Sequence, residues 1–412
     1  MRNSRLLTNR FARQFTAVLT GYVGSAIIRA VGLVLLARLA LPDDFGFFSA
    51  VAAAIVIAQA MTDLGLAKLI LREHSARADH ALVSSALRTN SRLSALLAAL
   101  LFIILLVAGM AVDTRFLYLL PLAVAAAAEK NADTFLSIAL ANQQAAVNTT
   151  NLIVRRILSL SVFLLGTSLG INPLLAFSAG EMLAALVSAV LARRYASSNV
   201  ETTSTVPFRD VARAGLPFWL NSMAVQARNF DVLITSAVAG TTQAGFYASS
   251  TRLTGPLQLV ASAASTVLLP FATRSTARLR MVHASLIFLV GTSIAYLLLA
   301  VLVPHVVPIV LGDAYVPSIL VIQIVLIGLP FASLSALLTS ALQGWGLARL
   351  AAVVAVAFTF VCLVGVFLGA TLNGAVGASI GLASAYVFQA IGLVTLALRH
   401  TAHDSSRERD RT

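Results

Sequence analysis

Several charged side chains stand inside runs that are otherwise apolar. "VGSAIIRAVGLVLLARL" holds Arg29, "AVQARNFDVLITSAV" holds Arg228 and Asp231, "AAAAEKNADTF" holds Glu129, Lys130 and Asp133, and "YASSTRLTG" holds Arg252. A guanidinium in an apolar setting suits an anion such as phosphate, which it holds through charge-assisted hydrogen bonds. Carboxylates in the same setting suit a proton or a cation. Tyr22, Ser25, Arg29 and Gly32 fall at i, i+3, i+7 and i+10, and Asn221, Arg228, Asp231 and Thr235 form a similar stripe later in the chain. Each helix of that kind presents one polar face with an arginine at its centre.

The groups differ in their local partners. Asp231 lies three residues from Arg228, within reach of an intrahelical ion pair; such a pair either neutralises itself or opens toward a cavity. Gly32 takes the matching place beside Arg29, which therefore has no acidic neighbour on its own helix. Glu129, Lys130 and Asp133 bring one cation and two anions onto nearby helix faces, as an ion relay or as a structural network that partners Arg29. Arg252 either faces a cavity or snorkels to the outer interface. Glu181, alone in its helix, reads as a structural hydrogen-bonding group.

The elements that carry these residues are membrane helices. Of the 412 residues 59% are hydrophobic and 11% charged, against about 25% charged in a soluble domain, and the mean hydropathy is +0.90. Segments of about 20 apolar residues, enough to cross roughly 30 Å of hydrocarbon, recur near 14–40, 46–70, 90–111, 116–140, 149–170, 174–194, 211–239, 245–271, 282–303, 317–342, 349–370 and 375–398. Their apolar residues run continuously rather than alternating, so they are helices and not barrel strands. The expected fold is an all-α polytopic membrane protein of about twelve spans.

The net charge of +13 distributes as topology, not as a nucleic-acid surface. When basic residues in the end turns of a span are counted with the adjoining loop, 23 of the 29 fall at one membrane face, Arg155 and Arg156 being assigned to the fourth loop, and only Arg38 and Arg115 at the other. The remaining four, Arg29, Lys130, Arg228 and Arg252, are inside helices. The positive-inside rule then makes both termini cytoplasmic.

A polar stretch, "RRYASSNVETTSTVPFRD", divides the spans into six and six. The boundaries are an arm over 1–13, an N-lobe over 14–194, a linker over 195–210, a C-lobe over 211–398 and a tail over 399–412. The halves are repeats: "DFGFFSA" at 44–50 meets "QAGFYAS" at 243–249 at an offset of 199, which also carries Arg29 onto Arg228. "INPLLAFSAG" from 171 meets "LNGAVGASIG" from 372 at an offset of 201. An even number of spans per repeat makes them parallel, with both halves starting on one side, as in transporters whose site lies between the halves. Pro217 and Pro330 are candidate hinges within the second half.

Other classes are disfavoured. The chain has no glycine-rich loop ending in Lys-Ser or Lys-Thr for ATP, no metal-ligand spacing among its six histidines, and a single cysteine, Cys362. "GAVGASIG" at 374–381 follows no strand and reads as small-residue helix packing. The longest outer loop, near 304–316, holds one aspartate, Asp313, which argues against a glycosyltransferase or polymerase. No cofactor is expected.

"LLARLALPDDFGFFSAVAAAIVIAQAMTDLGLAKLILRE", "VARAGLPFWLNSMAVQARNFDVLITSAVAGTTQAGFYASSTRLTGPLQLVASAASTVLLPFATR", "IVLGDAYVPSILVIQIVLIGLP" and "TLNGAVGASIG" together resemble the bacterial polysaccharide-biosynthesis flippases. These are the O-antigen and exopolysaccharide unit translocases of the multidrug/oligosaccharidyl-lipid/polysaccharide exporter superfamily. The chain departs from the usual phrasing at Leu41-Pro42, where the family has Gly before Pro. The resemblance implies an inner-membrane protein, not an enzyme, that flips undecaprenyl-diphosphate-linked oligosaccharide by alternating access for lipopolysaccharide or exopolysaccharide synthesis. It implies a central cavity whose arginines hold the anionic headgroup, a role that falls on Arg29 and Arg228, with Arg252 as a further candidate. Its partners would be the lipid-linked oligosaccharide, the bilayer, and polymerase or glycosyltransferases of the same pathway. The runner-up is a cation-coupled multidrug exporter of the same superfamily, working through Glu129, Asp133 and Asp231.

Overall fold

The structure is a computed structural model that describes residues 23–76, 80–200, 206–226, 229–274, 278–345 and 347–409. The arm over 1–13, Tyr22 and Arg228 lie outside the described residues, as do the side chains of Asn221 and Pro217.

The fold is all-α, with no strand among the described residues. In chain order the helices are α1 (23–39), α2 (Pro42–Asp63), α3 (Leu66–Ala76), α4 (His80–Ala111), the short α5 (Arg115–Tyr118), α6 (Leu120–Ala141) and α7 (Ala145–Ser168). They continue with α8 (Pro173–Asn199), α9 (Phe208–Gln226), α10 (Phe230–Ala239), α11 (Thr241–Arg274), α12 (Arg278–Val310), α13 (Ser318–Gly344) and α14 (Ala348–Arg409). Seven of the described helices are long and apolar enough to cross a membrane, and the apolar stretch Leu350–His400 of α14 is 51 residues long. At 1.5 Å per residue it suffices for two crossings, and α14 is broken between them by non-helical backbone at Asn373 and Gly374. The twelve expected spans map onto these helices, with α9 and α10 sharing the seventh.

The second span ends earlier than its hydropathy suggests. Leu64 and Gly65 both adopt positive φ, 47° and 68°, which ends α2 and turns the chain into α3. Leu66, Leu69 and Ile70 of α3 are buried while Lys68 and Arg72 are exposed, the i, i+3, i+4 pattern of an amphipathic helix.

The helices pack as two compact units. One comprises Val51–Asn229 with the described residues before Ala40; the other comprises Ala40–Ala50 and the chain from Phe230 onward. The first has a core of Leu66, Leu69, Ile70, Leu87, Phe135, Leu136, Ile138 and Val211. In the second, Val282, Leu334, Leu338, Leu342, Ala390 and Leu393 form a core between α12, α13 and α14.

Within the second unit the repeat becomes a contact. A Cβ on Gly46 would overlap the carbonyl oxygen of Thr241, and one on Gly245 would overlap that of Pro42. Two glycines that the sequence offset pairs therefore face each other where the first turns of α2 and α11 cross. Asp43 accepts hydrogen bonds from the hydroxyls of Thr241 and Thr242 across this crossing. Phe45 and Phe246, flanking the two glycines, both meet the ring of Tyr315 edge-on at 6.3 Å.

Tyr315 is fully buried, and its hydroxyl has no hydrogen-bond partner among the described residues. Burial, followed by the nearby Asp44 carboxylate, pushes its ionisation upward, so the neutral phenol is the resting form. An unsatisfied buried hydroxyl costs about 1–3 kcal/mol. Tyr315→Phe is therefore expected to raise the melting temperature of the purified protein, with both aromatic contacts retained.

Candidate functional site

The charged residues of the first unit converge on one layer. In α6, Ala125, Ala126, Ala127, Ala128 and Ala132 are buried, and such small side chains let neighbouring helices approach closely. Into that space α7 projects Arg155 and Arg156, whose side chains are only 2% and 6% exposed.

The two guanidiniums bind three carboxylates. Arg155 reaches Asp133 at 2.9 Å and Glu129 at 3.3 Å, while Arg156 reaches Glu129 at 2.6 Å and Glu181 of α8 at 3.1 Å. Ser159, one turn after Arg155, donates to the other oxygen of Glu181 at 2.8 Å. The Nε atoms of both arginines are buried without a hydrogen-bond partner among the described residues. On one side of this layer the rings of Phe163 and Phe177 pack edge to face at 5.4 Å.

Arg155 and Arg156 correct the expected topology. They are not loop charges but sit at the middle of α7, buried by their acidic partners, and removing them leaves 21 basic residues at one face against 2. The asymmetry survives. Their position inside "NLIVRRILSLSVFLL", about one turn into that apolar run and about three turns into α7, is the signal the sequence offers. Glu181 belongs to this network as a hydrogen-bonding and ion-pairing group.

Arg29 stands at the edge of the network in a different state. Its helix is seated against α7 and α8: a Cβ on Gly32, one turn later, would touch Phe177 at 3.7 Å and Leu160 at 3.9 Å. The Arg29 side chain is exposed and interacts electrostatically with Arg156, Glu129, Glu181 and Arg155, yet it makes no hydrogen bond or ion pair among the described residues. With every group ionised, two guanidiniums against three carboxylates leave the paired network one negative charge in excess. Arg29 cancels that excess by proximity while its own donors stay open.

The remaining residues separate. Lys130 is on another face of α6, buried, with its ammonium donating to Asn90 of α4 at 3.2 Å and Asp63 as its electrostatic partner. Asn90 in turn donates to Asn131 at 2.9 Å. Helical geometry explains the split: adjacent residues point 100° apart, so Glu129 and Asp133 share a face that Lys130 does not. Asp133 is half-exposed, at 51%, and marks the open side of the network.

In the second unit Asp231, in the first turn of α10, accepts from the buried Tyr247 hydroxyl at 3.0 Å and from the backbone of Val232 at 2.6 Å. Arg252 is half-buried in α11. The described residues hold no cluster of acidic, histidine or cysteine side chains suited to a metal.

Three solved structures share this fold across nearly the whole chain. An inward-facing multidrug resistance MATE family transporter of the MOP superfamily aligns with a TM-score of 0.71 at 15% identity, covering 94% of this chain and 98% of its own. The lipid II flippase MurJ, in an inward closed conformation, aligns with a TM-score of 0.73 at 13% identity, covering 92% and 86%. A Vibrio cholerae MATE transporter aligns with a TM-score of 0.61 at 16% identity, covering 98% and 99%. No curated protein matches the sequence. At these identities the likeness establishes the fold alone, one that these two transporters and the flippase share. The sequence itself, over residues 11–276, matches the family described as Polysaccharide biosynthesis protein, and the chain belongs to that family.

Proposed function

We propose that this chain flips a lipid-linked oligosaccharide, carried on undecaprenyl diphosphate, across the bacterial inner membrane for surface polysaccharide synthesis. The observation that carries the reading is Arg29: an exposed guanidinium at mid-helix, free of hydrogen bonds and ion pairs among the described residues, beside a network whose one excess negative charge it offsets only by proximity. An arginine at a helix centre costs roughly 2.5–3.5 kcal/mol on insertion scales. A residue that only stabilised packing would recover that cost through ion pairs, as Arg155 and Arg156 do. Arg29 instead keeps its donors available for an anion, and a diphosphate supplies two.

On this reading both termini are cytoplasmic, following the distribution of arginines, and the repeated halves 14–194 and 211–398 expose the headgroup alternately to the two membrane faces. Arg228 and Arg252 are the corresponding candidates of the second half. Polymerase or glycosyltransferases of the same pathway supply and consume the substrate. A cation-coupled drug exporter would need free intramembrane carboxylates, whereas Glu129 and Asp133 are held by arginines and Asp231 accepts from the Tyr247 hydroxyl, which favours the anionic substrate.

Cells carrying Arg29→Ala as the sole copy are expected to lose surface polysaccharide while the protein's amount in the membrane is unchanged. Arg29→Lys, which keeps the charge but not the planar fork, should retain part of the export. Normal polysaccharide with Arg29→Ala would remove the phosphate role from this residue.

A further inference from the structure

A cavity of about 490 Å³ opens at one end of the second unit, where the end of α10, the first turns of α11, the start of α13 and the break in α14 meet. Its volume lies within the roughly 300–1,000 Å³ range of small-molecule sites. Its polar lining is Gln243, Thr371 and Asn373, over an apolar floor that includes Phe246 and Val321, and no charged side chain lines it among the described residues.

The repeat shows why these polar groups are available. In the first half Asn172 caps α8 by accepting from the backbone N–H of Leu174 at 2.9 Å. The offset of 201 carries Asn172 onto Asn373 and Leu174 onto Ala375. In the second half, however, the N–H of Ala375 donates to Gln243 of α11, at 2.9 Å. The cap has passed to a side chain from another helix. Gly374 makes this possible: its φ is +55°, and a Cβ there would stand 2.6 Å from the Gln243 oxygen. Asn373 is thereby released from capping. Its side chain is exposed, lines the cavity, and makes no hydrogen bond among the described residues.

An amide that caps nothing, the remaining NH₂ of Gln243 and the Thr371 oxygen, whose own proton goes to the Leu368 carbonyl at 2.8 Å and which is left as an acceptor, give neutral donors and acceptors side by side. A phosphate placed there would lose its hydration without gaining a cation. A sugar ring fits this chemistry, with hydroxyls for the amides and a C–H face for the apolar floor. We propose that this cavity is a binding site for an uncharged sugar residue. Resting on the flippase reading, it holds part of the glycan at the membrane face that the arginine distribution assigns to the exterior.

The test is saturation-transfer NMR on the full chain in nanodiscs, with D-glucose, D-galactose, L-rhamnose and N-acetyl-D-glucosamine each as probe and inorganic pyrophosphate as the charged control. At least one sugar should receive saturation above protein-free nanodiscs. That transfer should be lost in Asn373→Leu and in Thr371→Val, both exposed positions outside the packed core, and kept in Arg29→Ala. No transfer to any of the four sugars, or transfer unchanged in both variants, overturns the site. The flippase reading fails separately: if Arg29→Ala exports polysaccharide normally while Asn373→Leu still abolishes sugar transfer, the cavity stands and the phosphate role does not.

Discussion

Arg156→Ala is expected to leave little folded protein in the membrane. Among the described residues, the substitution deletes the one cation that forms ion pairs with both Glu129 and Glu181. Glu181 would retain only Ser159, and Glu129 only the longer 3.3 Å contact with Arg155. Breaking a buried ion pair from one side costs about 3–5 kcal/mol, because the surviving charge stays buried without compensation. That is a large part of the 5–15 kcal/mol by which folded domains are typically stable. The yield of monodisperse protein after detergent extraction, together with its melting temperature, measures the loss. The same argument predicts a rescue: Arg156→Met combined with Glu129→Gln and Glu181→Gln removes the stranded charges with their partner and should restore most of the folded yield. A single variant as stable as the wild type would mean that the network carries no stability, and that Arg155 and Arg156 are available to substrate.

Gly245→Leu is expected to be as damaging, for a steric reason. The obstacle to its Cβ is the Pro42 carbonyl, a backbone atom that no change of rotamer can move aside. The crossing of α2 and α11 would have to open, with loss of the Asp43 bonds to Thr241 and Thr242 and of the shared packing on Tyr315. Overpacking commonly costs about 1–3 kcal/mol and more where the backbone must shift, so Gly245→Ala should already lower the melting temperature and Gly245→Leu should abolish folded protein. Gly46→Leu, facing the Thr241 carbonyl, should behave alike. Gly291→Ala is the control: open space surrounds it, and alanine in an exposed helix gains up to about 1 kcal/mol over glycine. Equal losses at all three glycines would point to a general intolerance and not to the crossing.

The helices were legible because each span must satisfy its backbone internally, so hydropathy alone marks it. The offset of 199 aligns "FGF" with "AGF", but the contact between Gly46 and Gly245 was not legible in it, because an alignment of repeats does not say which equivalent residues meet. Partnership between charges was not legible either. Spacing along α6 placed Lys130 with Glu129 and Asp133, but the partners came from α7 and α8, and packing between helices carries no short-range sequence signal. Arg155 and Arg156 were assigned to a loop because a tandem arginine near a span's start looks like a topology signal. Only the three carboxylates opposite them account for their burial. The break at Asn373 and Gly374 was legible, since the expected spans end at 370 and resume at 375, but its cap was not, because Gln243 comes from α11.

The central claim is that Arg29 carries the anionic headgroup of a lipid-linked oligosaccharide. Its most direct test is transbilayer movement of a fluorescent undecaprenyl-diphosphate-linked oligosaccharide in proteoliposomes holding the wild type or Arg29→Ala at equal protein density. Hydrogen bonds to a charged group are worth about 1.5–3 kcal/mol. The wild type should therefore move the lipid faster than Arg29→Ala by roughly tenfold or more, with Arg29→Ala above protein-free vesicles only to the extent that the second half contributes. Equal rates for the two proteins would contradict the account.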